Sequence, residues 1–407
     1  MKIIYLHQYF FTPSMQGTTS TRSFEMARRL VKYGHEVHMV TSWRDETEEK
    51  TWFETTEEGI HVHWLPVPYH NVMSYRQRLS AFFVFAIKAA KKAVSLSGEI
   101  VFATSTPLTI AIPAVYASKR LKVPMVFEVR DLWPEMPIAI GALKNPILKW
   151  AAKRLELFAY KNATRVVALS PGMLEGVASS GYPRNRIHQI SNSCDFDKFT
   201  PDPESRNRFI KMHPEIGEGF YVLYGGTLGK VNDVVYLVMV AKESLKLNPN
   251  IKYVVIGDGS EFEETKKLAV QLGVDQVNYF QYPRIPKIEV IDTFLAADIV
   301  TSLFANIPEM EKNSANKFFD GLAAGKPIAI NYGGWQADLL NETGAGLVLN
   351  RDPETAAKQL AEFLADPGKV EAAGKAARKL AEERFSRDKL AKQLEEVLVA
   401  AVEDSKQ

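Results

Sequence analysis

Cysteine is almost absent: one residue, Cys194, in 407. That excludes an intramolecular disulfide and any Cys-rich zinc site, and it fits a reducing compartment. A secretory leader is not apparent either. Met1-Lys2 runs directly into Ile3-Ile4-Tyr5-Leu6, too short for an apolar leader core and followed by no small-residue cleavage site. Long apolar runs are scarce. The longest uncharged stretch, Ile100 to Ser118, contains Pro107, Pro113 and several Ser and Thr, and reads as a strand, a turn and a helix start rather than a membrane span. Basic tracts of five are missing, which argues against nucleic acid as a partner. Low-complexity segments and short-period repeats are also missing.

What the chain does have is an ordinary globular composition, 46% hydrophobic and 24% charged. Its length suggests two or three domains. The net charge of +2 hides an asymmetry. Residues 1–195 carry 24 Lys+Arg against 16 Asp+Glu, or +8, and residues 196–407 carry −6. A basic first half suits anionic lipid or a phosphorylated substrate.

Short apolar runs alternate with helical patterns nearly throughout. Strands are expected at Lys2–Leu6, Glu36–Thr41, Ile100–Thr104, Pro124–Val129, Arg165–Leu169 and Arg186–Ile190. A second set is expected at Tyr221–Tyr224, Lys252–Ile256, Val277–Phe280, Ile299–Leu303, Pro327–Ile330 and Gly346–Leu349. Six strands twice over, with helices between, predict two α/β, Rossmann-like, doubly wound parallel-sheet domains facing across a cleft. The boundaries read as 1–192, 193–385 and a terminal helix over 386–407, with Asn, Asp and Pro clustered from Ser191 to Pro203.

Ligands of such sheets bind beyond the carboxyl ends of the strands, so each loop after a strand is a candidate site. The loop His7 to Gly17 ends in glycine before a helix that starts near Thr18. Tyr224-Gly225-Gly226-Thr227-Leu228-Gly229-Lys230 offers three glycines and a lysine, without the spacing of a P-loop. Ile256-Gly257-Asp258-Gly259 is either a tight turn or a floor under a flat ring. In Asn313-Ser314-Ala315-Asn316-Lys317-Phe318-Phe319-Asp320, Ser314 is expected to cap a helix whose N-terminus faces a phosphate, and Asp320 to accept ribose hydroxyls. Asp195-Phe196-Asp197 spells D-x-D, but in the segment between domains, so no metal site is assigned.

Taken together these residues resemble glycosyltransferase family 4, retaining nucleotide-sugar enzymes of the GT-B fold. The resemblance spans about residues 2 to 400. It rests on Gly17-Thr18-Thr19-Ser20-Thr21-Arg22, Gly34-His35-Glu36-Val37, Phe127-Glu128-Val129-Arg130-Asp131-Leu132-Trp133-Pro134-Glu135, and Ser193 to Phe199. It is similar to a bacterial branch that adds amino sugars or fucosamine-type sugars in O-antigen and capsule assembly. Four positions depart from the family pattern. The usual Arg and Lys of the first loop of domain two read Thr227 and Asn232, with Lys230 between them. The first of two usual glutamates reads Lys312, and the histidine before the acceptor-side aspartate reads Arg130.

The resemblance implies a UDP-sugar donor held by Gly17, Thr18, Gly226, Thr227, Lys230, Gly257, Arg284, Ala315, Asn316, Lys317 and Asp320. Arg130, Asp131 and His7 are the catalytic and acceptor-orienting candidates. No metal or other cofactor is expected, because helix N-termini and lysines can stabilise the leaving diphosphate. A nucleotide-sugar epimerase and a non-catalytic partner subunit are the competing readings. The segment Arg76–Leu96 reads as a helix with Phe85, Lys88, Lys91 and Lys92 toward an anionic bilayer. The expected protein is therefore cytoplasmic, peripheral on the inner membrane face, and acts on a polyprenyl-diphosphate-linked saccharide.

Overall fold

The computed structural model describes residues 1–13, 15, 22–69, 73–196, 198–285 and 287–406. Gly17 and Thr18 lie outside them. The chain divides into two units, Met1–Ser191 with Arg387–Gln407, and Asn192–Ser386.

Unit one is an eight-stranded sheet. Its strands are β1 (Lys2–Leu6), β2 (Glu36–Trp43), β3 (Phe53–Glu57), β4 (Ile60–Pro66), β5 (Ile100–Thr104), β6 (Met125–Val129), β7 (Arg165–Ala168) and β8 (Ile187–Gln189). Their order is β3-β4-β2-β1-β5-β6-β7-β8, parallel except for the β3–β4 pair. Six strands were expected here; the hairpin β3–β4 is additional. Its edge strand, Phe-Glu-Thr-Thr-Glu, lacks a buried apolar face, so its sequence reads as a loop. β5 and β6 are buried at every position, as strands covered on both faces must be. One face carries helices Tyr75–Ser95, Ala111–Leu121, Pro146–Asn162 and Pro171–Ser179. The other carries Arg22–Lys32 and the terminal helix Arg387–Asp404, whose Leu390, Leu394 and Leu398 pack beneath Tyr5 and Phe102.

Unit two has β9 (Phe220–Gly225), β10 (Ile251–Ile256), β11 (Tyr279–Tyr282), β12 (Ile299–Ser302), β13 (Ile328–Ile330) and β14 (Gly346–Val348). Their order is β11-β10-β9-β12-β13-β14, all parallel. The strand order therefore reverses between β9 and β12. In unit one it reverses between β1 and β5. A crevice opens beyond the carboxyl ends of the strands at each reversal.

The uncharged run Ile100 to Ser118 is β5 and the start of the helix Ala111–Leu121, as the sequence suggests. No described helix is long and apolar enough to cross a membrane.

One charge is buried inside unit one's sheet. Glu128, in β6, is fully covered; it accepts from Arg22 Nε at 2.9 Å and from Thr104 Oγ1 at 2.8 Å. Arg22 also donates to the carbonyls of Ile190 and Ser191. This single side chain ties the first helix to the last residues of the unit. Removing one partner of a buried pair leaves the other charge uncompensated. Arg22→Met should therefore cost about 3–5 kcal/mol in urea denaturation, and adding Glu128→Gln should restore part of it.

Candidate functional site

The described residues assigned to the donor and to the reacting groups follow strands of the two sheets, each within its own unit.

In unit one, His7 follows β1 and Ser105 and Thr106 follow β5. Arg130 and Asp131 follow β6. The Thr106 hydroxyl donates to Asp131 Oδ2 at 3.0 Å, and the Arg130 backbone N–H donates to Ser105 Oγ at 2.9 Å. Burial raises the Asp131 carboxyl above its usual range, while Thr106 and Arg130 pull the other way. His7 is buried, and burial followed by the charges of Arg130 and Arg44 holds its pKa well below normal. His7 is thus neutral. Its Nε2 stands 3.5 Å from Arg130 Nη1, which can only donate, so the ring hydrogen sits on Nδ1. Nδ1 is buried with no hydrogen-bond partner among the described residues. An unsatisfied buried donor costs about 1–3 kcal/mol and calls for an acceptor atom.

In unit two, the loops at Gly226–Lys230, Gly257–Gly259, Tyr282–Arg284 and Ser314–Asp320 follow β9, β10, β11 and β12. All lie at one edge because every strand is parallel. Gly226 N–H donates to the Ile256 carbonyl at 2.9 Å, and Leu228 N–H to the Asp258 carbonyl at 2.9 Å. A Cβ on Gly257 would stand 1.8 Å from Gly226 O, and one on Gly259 2.2 Å from Leu228 O. These glycines permit two loops to touch backbone to backbone, which accounts for them without a ring above. Arg284 is exposed and paired with Asp258 at 2.9 Å, so its charge is already partly answered. Thr227 and Lys230 are exposed.

The helix Asn316–Ala323 begins at Ala315, which stands at its N-cap with no side-chain acceptor. Ser314, expected to cap it, instead accepts from the Asn192 backbone and side chain through its hydroxyl and carbonyl. Asn316 is exposed and Asp320 half-buried one turn on. Among the described residues no side chain caps the helix, so its N-terminus keeps N–H groups for another acceptor.

Lys317 is the residue that organises this edge. It is only 9% exposed. Its Nζ donates to Tyr224 Oη at 2.9 Å and to Asn232 Oδ1 at 3.1 Å, and Tyr224 passes its own hydrogen to the Thr227 carbonyl at 2.7 Å. The ammonium lies 4.4 Å from the Tyr224 ring centroid and 5.7 Å from that of Phe304. Tyr224 belongs to β9 and Phe304 follows β12, so the cation stands at the reversal of strand order. Among the described residues no carboxylate pairs with it. Burial lowers its pKa to about 7. Sequence reasoning named Lys317, and named Tyr224 and Asn232 separately in and after the loop that follows β9, but it paired none of them and did not name Phe304. The family's lysine position reads Asn232, and Lys317 now delivers an ammonium to that side chain.

On the helix Tyr75–Ser95 the structure corrects two assignments. Phe85 is buried in the core with Ala81, Ala89 and Ala93 and cannot meet a bilayer. Lys92 is half-buried and bonded to Glu54 at 2.7 Å, over the Trp52 ring. Lys88 and Lys91 are exposed, alongside Phe83, Val84 and Ile87. Asp195, of the D-x-D sequence, pairs with Lys198 at 2.6 Å; Asp197 lies outside the described residues.

Comparison with known proteins follows the same division. Residues 17–193 match the family described as glycosyl transferase 4-like domain, and residues 205–380 match glycosyl transferases group 1. The chain is a glycosyltransferase of the GT-B type. No curated protein sequence matches it. Among solved structures it is similar to HepE of Anabaena in complex with UDP, with a TM-score of 0.74, 15% identity, and 98% of this chain and 100% of that one covered. It is similar to sucrose-phosphate synthase of Thermosynechococcus elongatus, with a TM-score of 0.76, 14% identity and 97% and 98% covered. It is also similar to WaaG, described as a glycosyltransferase involved in lipopolysaccharide biosynthesis, with a TM-score of 0.69, 15% identity and 97% and 99% covered. At these identities the likeness speaks to the fold.

A buried lysine whose folded pKa is about 7 destabilises the charged glycosyltransferase, and stability rises with pH wherever the unfolded chain binds more protons. That penalty is complete below about pH 7 and fades as pH rises toward the ordinary lysine value of about 10.4. Lys317→Met should therefore raise the thermal midpoint of the ligand-free enzyme at pH 7, with the gain shrinking by pH 9. A midpoint lowered by this substitution would contradict an uncompensated charge.

Proposed function

We propose that this glycosyltransferase moves a sugar from a UDP-sugar to a polyprenyl-diphosphate-linked saccharide, retaining anomeric configuration and using no metal. The sugar is an N-acetylated amino sugar, and the setting is bacterial cell-surface polysaccharide synthesis, of the O-antigen or capsule kind, on the cytoplasmic face of the inner membrane. The observation that carries the donor reading is Lys317, a buried ammonium without a carboxylate at the strand-order reversal of unit two. A diphosphate is the counter-ion such a site lacks. HepE and WaaG, similar in fold, are described with UDP or UDP-glucose and with lipopolysaccharide synthesis respectively, which supports the choice of base and setting.

The chemistry follows from where charge develops. Breaking the anomeric C–O bond leaves a nucleoside diphosphate. Lys317 and the uncapped start of the helix Asn316–Ala323 stabilise it in place, with Lys230 nearer solvent. That is the work a divalent cation does in metal-dependent transferases. Asp320 accepts the ribose hydroxyls. On unit one, Arg130, Asp131 and the Nδ1–H of His7 orient the acceptor. In a front-face transfer the departing phosphate oxygen takes the acceptor's proton, so no protein nucleophile is required.

The membrane reading draws on one side of unit one. Helices Tyr75–Ser95, Ala111–Leu121 and Pro146–Asn162 pack in sequence there. They expose Ile87 at 61%, Ile147 at 72% and Trp150 at 66%, interleaved with Lys88, Lys91 and Lys149, while Arg154 lies over the Trp150 ring. Aromatic and aliphatic side chains among lysines suit an anionic interface, where each basic residue adds about 1 kcal/mol.

A thermal-shift screen of UDP-, GDP-, dTDP- and ADP-sugars should single out UDP-sugars. Asp320→Ala should weaken UDP by about 1–3 kcal/mol, and unchanged affinity would remove Asp320 from the site. Transfer to a polyprenyl-diphosphate saccharide should persist in EDTA; loss that Mg²⁺ reverses would overturn metal independence. Conversion of the donor without acceptor would favour the epimerase, and absence of nucleotide binding the partner subunit. For the membrane, co-sedimentation with anionic but not neutral liposomes is expected at low salt. Lys88→Glu with Lys91→Glu should abolish it, and equal negligible binding to both liposomes would leave a soluble acceptor.

A further inference from the structure

Two sequence pairs lie outside the reaction described above: Glu36-Val37-His38 at the start of β2 and His61-Val62-His63 in β4. Strand alternation puts each pair's outer members on one face. Parallel register sets His38 against His61, and antiparallel register sets Glu54 of β3 against His63. The imidazoles stack, with ring centroids 4.9 Å apart for His38 and His61 and 5.2 Å for His38 and His63.

A row of contacts crosses the three strands. Glu36 Oε1 is 2.7 Å from His38 Nε2, His38 Nδ1 is 2.9 Å from His63 Nε2, and His63 Nδ1 is 2.8 Å from Glu54 Oε1. Lys2 pairs with Glu36 at 3.3 Å and Lys92 with Glu54 at 2.7 Å, closing the two ends. Carboxylates only accept, so three contacts between two carboxylates and two imidazoles need three hydrogens. Two neutral imidazoles bring two. One contact is left without a hydrogen. At the Glu36 end a third imidazole is at hand: ligand atoms of Glu36, His38 and His61 lie within 4.8 Å of one another.

We propose that Glu36, His38 and His61 form a binding site for a borderline divalent cation of the zinc type. With the ion on His38 Nε2, His38 Nδ1–H donates to His63 Nε2 and His63 Nδ1–H donates to Glu54. Every remaining contact then has one hydrogen. His63 and Glu54 become the orienting pair behind a ligand, the arrangement that fixes a metal-bound imidazole. Two imidazoles and a carboxylate favour zinc over magnesium, with water as fourth ligand. Tetrahedral bonds of about 2.0–2.2 Å set ligand atoms about 3.3–3.6 Å apart. Glu36 and His61, both exposed, can swing in while His38 stays buried.

Glu36 is the first residue of β2, and His7 follows the last residue of the parallel strand β1. The ion thus sits at the sheet edge opposite the reacting groups and clips β2 to β4. It takes no part in sugar transfer.

The test is calorimetric titration of the tag-free chain with Zn²⁺ and Mg²⁺, with Co²⁺ as a spectroscopic substitute. One equivalent of Zn²⁺ should bind and Mg²⁺ should not. Co²⁺ should give the visible bands of a tetrahedral nitrogen–oxygen site without thiolate charge transfer. Glu36→Gln and His61→Gln, at exposed positions, should each weaken Zn²⁺ at least tenfold, and His63→Asn about tenfold through ligand orientation. Zn²⁺ should raise the thermal midpoint of the wild type but not of His61→Gln. No stoichiometric binding would mean that the row holds a third hydrogen as an imidazolium and would overturn the proposal. Binding unmoved by His61→Gln, or a thiolate band implicating Cys194, would overturn it equally.

Discussion

A buried ammonium that no carboxylate among the described residues pairs with is the constraint around which the strand-order reversal of unit two is arranged. Lys317 could avoid its desolvation cost by reaching solvent or an acid, and it does neither. It spends its hydrogens on a tyrosine hydroxyl and an amide oxygen, between two aromatic rings. That environment stabilises a cation only in part, which is why its proton is held loosely near neutrality. The strand order brings this about. β9 and β12 are neighbours only because the order reverses there, and the reversal brings Tyr224 and Phe304 together. The close backbone packing of the loops at Gly226 and Gly257 then fixes the loop whose Thr227 carbonyl receives the Tyr224 hydroxyl.

The departures from the family pattern become intelligible in these terms. Thr227 and Asn232 remove two positive charges from the loop after β9. Lys317 returns one of them from the following reversal strand's helix, with Asn232 as its hydrogen-bond acceptor. A charge moved by 85 residues in the chain arrives at the same side chain in space. A helix-borne lysine has the further property that the helix's own N-terminus points the same way, so two sources of positive potential act together.

Much of the architecture was legible because parallel strands, buried on both faces, write themselves as apolar runs. Lys2–Leu6 and Ile100–Thr104 need no tertiary information. The edge strand Phe53–Glu57 does: three of its residues are polar and exposed, and only pairing with Ile60–Pro66 makes it a strand. Helical phase was legible on Tyr75–Ser95 for Lys88 and Lys91 but not for Phe85, because an alanine-lined stripe, and not the largest side chains, marks the buried face. Val84 and Ile87 take the outward place that Phe85 was given. At the site, Lys317 was legible as a basic residue at a helix start. Its burial and its partners were not, since they are set by contacts across the sheet. The Glu36–His38 and His61–His63 pairs carried a signal, an i, i+2 repeat on strands, that becomes meaningful only once register sets β2 beside β4.

The central claim is that the Lys317 ammonium is the counter-charge of the donor diphosphate. Proton uptake on UDP binding tests it most directly, by calorimetry at pH 8 in two buffers of different ionisation enthalpy. With a free-state pKa of about 7 raised by the bound diphosphate, the wild-type enzyme should take up nearly one proton per UDP, and Lys317→Met none. Tight UDP binding with no proton uptake, or equal uptake in Lys317→Met, would contradict the account.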